Sequence, residues 1–211
     1  MQGEPTQNQA ENRNGTLSFE SVLSSSIYRD REILFAVDPP TGFLHRTRQK
    51  NELVMELAPI LLRSAVQGIF VYGSPGTGKT ALVRSLMSEL AGEAAKRGIE
   101  LRQAYVNCSE NRTESAILLA VLGQLKPEQV VPKMGWSKGR VLEEFHRALA
   151  EHRNGCLLIV LDEVDYLLRE SGDDVLYRFS RINEPGKAKV STIVISNDVR
   201  VGDYIKPRTA G

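Results

Sequence analysis

Cysteine is scarce in this chain: two residues in 211, Cys108 and Cys156. They stand 48 positions apart, with no C-x-x-C and no histidine at ligand spacing. That argues against a disulfide framework and against a zinc cluster, and fits a reducing cytosol. Each cysteine borders an apolar run, where a small buried core residue is the plain reading. The three histidines, His45, His146 and His152, are scattered and suggest no metal cluster of their own. An excess of one charge is lacking too. With 27 basic and 26 acidic residues the formal charge is +1, so no global field draws the chain to nucleic acid, and any such contact must come from a local patch. Long apolar runs are missing. The longest aliphatic stretch, residues 157–161, is far too short to span a bilayer, and Met1-Gln2-Gly3-Glu4-Pro5 has no basic-then-apolar signal character. No membrane partner and no targeting segment are expected. What is present, 41% hydrophobic and 25% charged residues, suits an ordinary soluble domain with a real core.

Residues 1–26 are rich in Gln, Asn, Glu, Gly and Ser and poor in aliphatics, which reads as a mostly disordered tail before a domain over 27–211. From about Arg48 the apolar residues Leu53, Leu57, Ile60 and Leu61 take helical spacing, ahead of a short apolar strand at 68–72. A helix with an apolar stripe at Leu82, Val83, Leu86, Met87, Leu90 and Ala94 follows. Further strands are expected at 101–108, 156–161 and 190–196, with helices near 113–125, 138–151 and 173–183. The strand at 156–161 is aliphatic throughout, as a strand covered on both faces must be. Strands alternating with helices predict an α/β fold on a parallel sheet.

Gly73-Ser74-Pro75-Gly76-Thr77-Gly78-Lys79-Thr80 matches G-x-x-x-x-G-K-[ST] at every position and lies between an expected strand and an expected helix. The glycines let backbone N–H groups turn inward around an anion, and the helix that starts near Lys79 and Ala81 aims its positive end at the same point. Lys79 is expected to reach the β- and γ-phosphates of ATP, and the Thr80 hydroxyl to coordinate Mg²⁺. Cys156 to Leu161 then leads into Asp162-Glu163, 83 residues after Lys79. Side chains alternate along a strand, so the two acids at its end can take different tasks. Asp162 is expected in the Mg²⁺ shell, and Glu163 as the residue that orients and polarises the attacking water. Asn197 directly follows the last aliphatic strand. A parallel strand beside that of Asp162 would bring its amide near the γ-phosphate, where it can bond both phosphate and water. The alternative is a turn-forming Asn-Asp pair.

Several stretches together resemble the archaeal Orc1/Cdc6 replication initiators, a family of AAA+ ATPases. Ile27-Tyr28-Arg29-Asp30-Arg31-Glu32 and Leu44-His45-Arg46-x-x-Gln49 resemble the family's entry motif near the adenine, so His45 and Arg46 join the cofactor-binding set by resemblance. Residues 73–80 and Asp162-Glu163-Val164-Asp165-Tyr166-Leu167 resemble its Walker A and Walker B motifs. More specific are Arg181-Ile182-Asn183-Glu184 and Ile195-Ser196-Asn197-Asp198, the latter similar to the sensor 1 strand. The likeness implies a P-loop NTPase of AAA+ type, a three-layer α/β/α domain with a central parallel sheet of about five strands. It also implies a DNA-contacting helical insertion between the second strand and the Walker B strand, with Lys133, Trp136, Lys138 and Arg140 as its contacts. The competing reading is that Met134 and Trp136 fill the core while the lysines are solvated. Arg208 resembles an arginine that acts in trans on a neighbouring subunit, although a plain surface arginine is the stronger reading of the residues alone. The family's helical lid and winged-helix domain have no counterpart in the 211 residues.

The function implied is an ATP/ADP switch for binding double-stranded DNA at replication origins and for assembly with other initiator subunits. Hydrolysis is expected to be slow, DNA binding weak, and the location cytoplasmic and nucleoid-associated. Two alternatives are a non-catalytic truncated paralogue acting as a regulatory partner, and another AAA+ ATPase such as a clamp-loader subunit or mobile-element helper.

Overall fold

A computed structural model describes residues 17–19, 22, 44–66, 68–128, 135–183 and 188–204, with only the backbone described at 44–46 and 203–204. In chain order the elements are α1 (Leu44–Leu57), a 3-10 turn (Ala58–Leu62), β1 (Ile69–Tyr72), α2 (Lys79–Lys96), β2 (Leu101–Asn107), α3 (Glu114–Leu125) and α4 (Lys138–Glu151). Then come β3 (Cys156–Asp162), α5 (Val164–Ser171), α6 (Asp174–Ser180), β4 (Lys189–Ser196) and a second 3-10 turn (Val201–Tyr204). The strands form one sheet in the order β1-β4-β3-β2, and every pairing is parallel. The described residues thus supply four of the strands, against about five expected.

β3 lies inside the sheet and is buried at all seven positions. Its side chains alternate between two cores, as the period of a strand requires. Leu157, Ile159 and Leu161 join α3 to α6 on one face. Cys156, Leu158 and Val160 join α1, its 3-10 turn and α2 on the other. Helices on both faces make three α/β/α layers, as expected. Two amides finish the sheet where backbone groups have no strand beside them. Gln124 takes the N–H of Tyr105 on Oε1 and donates Nε2 to its carbonyl, both at 2.9 Å. Asn183 does the same for Val190, at 2.7 and 2.9 Å. Such clamps satisfy edge groups that would otherwise be open to other chains. Gly155 is required for packing: a Cβ there would sit 3.0 Å from the Glu100 carbonyl.

Within the span read as a tail, Phe19 is fully buried and Val22 nearly so, both in the core of α1 and α2. The Leu17 N–H donates to Asn51 Oδ1 of α1 at 2.9 Å, and the Val22 N–H to the Ser18 carbonyl at 3.1 Å. Polar composition averaged over 26 residues concealed a short apolar pattern at 17, 19 and 22. The short helix α5, directly after β3, was likewise not expected. Its apolar residues Val164, Leu167 and Leu168 pack at helical spacing into the first core.

Candidate functional site

In a parallel sheet the loops after the strands gather at the C-terminal edge, where ligands of open α/β folds bind. The register fixes what meets there. Tyr72 of β1 pairs with Ser196 of β4, so the loop from Gly73 starts beside Asn197. Leu161 of β3 pairs with Val194 of β4, and Asn107 of β2 with Asp162. All three expected motifs therefore lie at one edge of the sheet.

The loop 73–78 turns through backbone that only glycine adopts freely, with φ of 150° at Gly73, 76° at Gly76 and 80° at Gly78. Gly78 is the N-cap of α2, whose free N–H groups and dipole face the loop. The Lys79 ammonium folds back across the loop and donates to the carbonyls of Gly73 at 2.9 Å and Ser74 at 2.8 Å, with Thr77 Oγ1 at 3.4 Å. Thr77 Oγ1 in turn donates to the Ser74 carbonyl at 2.9 Å. A cation held over a glycine-rich loop at a helix N-terminus is the chemistry of a phosphate cradle.

At the next residue, Thr80 Oγ1 donates to Asp162 Oδ2 at 2.7 Å, joining positions 82 apart in sequence. Asp162 is 3% exposed. Its Oδ2 also accepts the Tyr105 hydroxyl at 2.5 Å, and its Oδ1 accepts the Glu163 N–H at 2.8 Å. Tyr105 is pushed up to about 12, by burial first and then by its bond to Asp162, so the phenol stays a donor. Cys108, at the end of β2, is also pushed up to about 12, by burial and then by the charges of Asp162, Asp165 and Glu163. The thiol is thus an inert core group beside an acidic strand end. Glu163 caps α5 in the left-handed conformation, φ 54° and ψ 42°. Asp165, within the first turn of α5, accepts the Asn197 N–H and the Ser196 hydroxyl, both at 3.1 Å.

The remaining expected residues are distributed as follows. Ala81 stands exposed in the first turn of α2. His45 and Arg46 lie in the first turn of α1, with their side chains outside the described residues, as are Lys133 and Arg208. Trp136 packs on the first core with the Arg140 guanidinium 4.8 Å from its ring centre. The Lys138 ammonium is 2.6 Å from Glu114, which also bonds Arg178. Tyr105, Arg84 and Asp165 had no assigned role in the sequence. The period-2 pattern of β2 points Tyr105 and Gln103 to the face of α2, and Arg84 lies four residues after Thr80 on that helix. Those spacings were the available signal.

The donor set near Asp162 suits a hard divalent ion. One carboxylate and one hydroxyl are oxygen ligands of the kind Mg²⁺ takes when phosphates and waters complete its shell. Among the described residues no group of three or more His, Cys, Asp or Glu forms a metal cage. No helix among them is long and apolar enough to cross a membrane.

A parallel α/β sheet with a glycine cradle after β1 and an acidic end to β3 defines the class of P-loop nucleotide-binding domains. The AAA domain model matches residues 62–197, and the chain belongs to that family. The resemblance to archaeal initiators is borne out. The ORC1-type DNA replication protein of Thermococcus onnurineus is 36% identical over 194 residues, covering 90% of this chain and 46% of the relative. That of Pyrococcus horikoshii is 37% identical over the same length and coverage. The chain spans about half the length of these curated relatives. Among solved structures, the Aeropyrum pernix ORC1 protein in complex with DNA superposes with a TM-score of 0.70 at 32% identity, over 86% of this chain and 46% of that one. The Aeropyrum pernix ORC2 protein, in ADPNP-ADP complexes, shares the fold with a TM-score of 0.63 at 24% identity, over 83% and 47%.

Proposed function

We propose that this chain is the nucleotide-switch domain of an origin-recognition and replication-initiation protein. It binds ATP or ADP with Mg²⁺, hydrolyses ATP slowly, and uses the bound nucleotide to govern DNA binding and assembly with other initiator subunits. One observation carries the reading: the 2.7 Å bond from Thr80 to Asp162, which joins the phosphate loop to the acidic strand end. Relatives named as replication proteins and a neighbour solved with DNA support it, as does a fold neighbour in ADPNP-ADP complexes.

In this reading Lys79 exchanges its bonds to the loop carbonyls for the β- and γ-phosphate oxygens, while the amides of 73–80 hold the remaining phosphate charge. Thr80 and Asp162 would hold Mg²⁺, which would supply charge neutralisation for the phosphates. Glu163 orients the attacking water and takes up its proton, and Asn197 bonds the γ-phosphate and that water. His45 and Arg46 lie toward the adenine. Duplex DNA contacts come from Lys133, Trp136, Lys138 and Arg140, and Arg208 reaches a neighbouring subunit. The protein works in the cytoplasm, associated with the nucleoid.

The test is ATP affinity of the 211-residue chain beside Lys79→Ala, read with a fluorescent ATP analogue. Losing two charge-assisted bonds of about 1.5–3 kcal/mol each weakens binding by roughly a hundredfold or more. Unchanged affinity would sink the pocket assignment.

A further inference from the structure

Asp162 is held more completely than a metal carboxylate needs for folding. A carboxylate offers about four acceptor positions. Thr80 and Tyr105 use two on Oδ2, and the Glu163 N–H uses one on Oδ1. One direction on Oδ1 is left. Thr80 belongs to the phosphate loop and the Glu163 amide is a neighbour in the chain, so Tyr105 is the donor with no place in the P-loop chemistry described above.

Tyr105 is itself fixed from two sides. Its backbone is clamped by the Gln124 amide at 2.9 Å on both the N–H and the carbonyl. Its ring lies under the Arg84 guanidinium, 4.0 Å from the ring centre. Arg84 follows Thr80 by one turn of α2, so the same helix face that reaches Asp162 through Thr80 also seats the tyrosine. The contacts close a ring: Thr80 to Asp162, Asp162 to Tyr105, Tyr105 to Arg84, and Arg84 back to Thr80 along α2.

We infer that Tyr105 is a positioning residue for the metal: its hydroxyl holds Asp162 in the one orientation that leaves an Oδ1 direction open to a divalent ion beside the phosphates. The inference rests on the reading of Asp162 given under Proposed function. The mechanism is that of outer contacts to a metal ligand, which fix the ligand's orientation and whose loss weakens metal affinity about 10- to 100-fold. In this reading the hydroxyl acts through its bond to Asp162.

Tyr105→Phe keeps the ring under Arg84 and removes the hydroxyl that bonds Asp162. In the full chain, affinity for a fluorescent ATP analogue is measured in EDTA and across a Mg²⁺ series. The expected result is a rise of about tenfold or more in the Mg²⁺ concentration giving half the effect, with metal-free affinity within about twofold of wild type. Asp162→Asn should remove most of the Mg²⁺ response, and adding Tyr105→Phe to it should remove nothing further. The electron paramagnetic resonance spectrum of Mn²⁺ with ADP and protein provides a second readout, and should show weaker Mn²⁺ retention in Tyr105→Phe. A Tyr105→Phe chain with the wild-type Mg²⁺ response overturns the inference alone. Equal losses with and without Mg²⁺ overturn it too, because they make the hydroxyl a general support of the pocket. A wild-type chain that binds the analogue but ignores Mg²⁺ overturns the reading of Asp162, and the inference with it.

Discussion

Phe19 lies outside the P-loop motifs, in a stretch whose composition says tail, yet its side chain is wholly buried. Phe19→Ala therefore tests whether the domain extends N-terminal to α1. Phe19 shares a core with Val54 and Leu57 of α1, with Leu86 and Leu90 of α2, and with Leu158 and Val160 of β3. Truncating such a phenylalanine costs about 3–5 kcal/mol when the surroundings cannot close the cavity. A short segment tied to α1 by the bond from Leu17 to Asn51 can relax inward, so the lower end, about 3 kcal/mol, is expected. At about 2–4 °C per kcal/mol for a domain of this size, the melting temperature falls by roughly 6–12 °C. Urea unfolding followed by circular dichroism is the assay, and the midpoint should drop with the slope unchanged. Leu62→Ala is the control: at 55% exposure it removes little buried area and should cost less than about 1 kcal/mol. If Phe19→Ala costs no more than the control, the segment is not docked and the domain starts at α1.

Two further outcomes concern the charged group around Glu114. Burial pushes its carboxyl up, but the hydrogen bonds and charges of Lys138 and Arg178 outweigh that and hold it below the ordinary value. A carboxyl lowered on folding stabilises above its unfolded pKa and loses that contribution as pH falls through the folded one. The stability gap between wild type and Glu114→Gln in urea should thus shrink from pH 6 toward pH 3, and a constant gap would mean the ion pairs contribute nothing. The same pairing bears on DNA. Lys138 is tied at 2.6 Å to the Glu114 carboxylate that it shares with Arg178, so Arg140→Ala should lower duplex affinity and reduce the salt slope by about one, with Lys138→Ala doing less. Equal effects in filter binding across a salt series would contradict the ordering.

Legibility in the sequence followed contiguity. The glycine loop, the Asp162-Glu163 pair and the run to Asn197 were readable because each is a short stretch at the end of a strand, and phosphate chemistry dictates residue types in order. The strands were readable because aliphatic runs at 156–161 and 190–196 admit little else. The shape of the site was not. Tyr105 meets Asp162 only because β2 pairs with β3 with Asn107 opposite Asp162, and Asp165 holds the Asn197 loop only because α5 packs beside the end of β4. A single tyrosine or aspartate carries no mark of a partner 57 or 32 positions away. The packing at Phe19 was concealed for the opposite reason: three apolar residues were diluted by their neighbours, and composition was read where spacing mattered.

Glu163 is where the demands of fold and chemistry come apart. It is one of two non-glycine residues with positive φ among those described, at 54°. A side chain in that conformation costs about 1–2 kcal/mol relative to the right-handed helix. Among the described residues, no hydrogen bond or ion pair holds its carboxylate; its backbone N–H bonds Asp162 and its carbonyl accepts from Tyr166. Nothing in the packing therefore asks for glutamate, and glycine would fit the turn better. Glu163→Gly should stabilise the domain by about 0.5–1 kcal/mol, once the greater freedom of glycine in the unfolded chain is subtracted. Glu163→Gln keeps shape and strain, so it should leave stability and ATP binding near wild type. Both variants should lose phosphate release in a single-turnover assay, the glycine variant while melting higher. Strain retained at a position where chemistry needs a carboxylate is what a water-orienting residue would show. A glycine variant less stable than wild type would assign Glu163 to the fold instead, and normal turnover in the glutamine variant would move the water-orienting role to another residue.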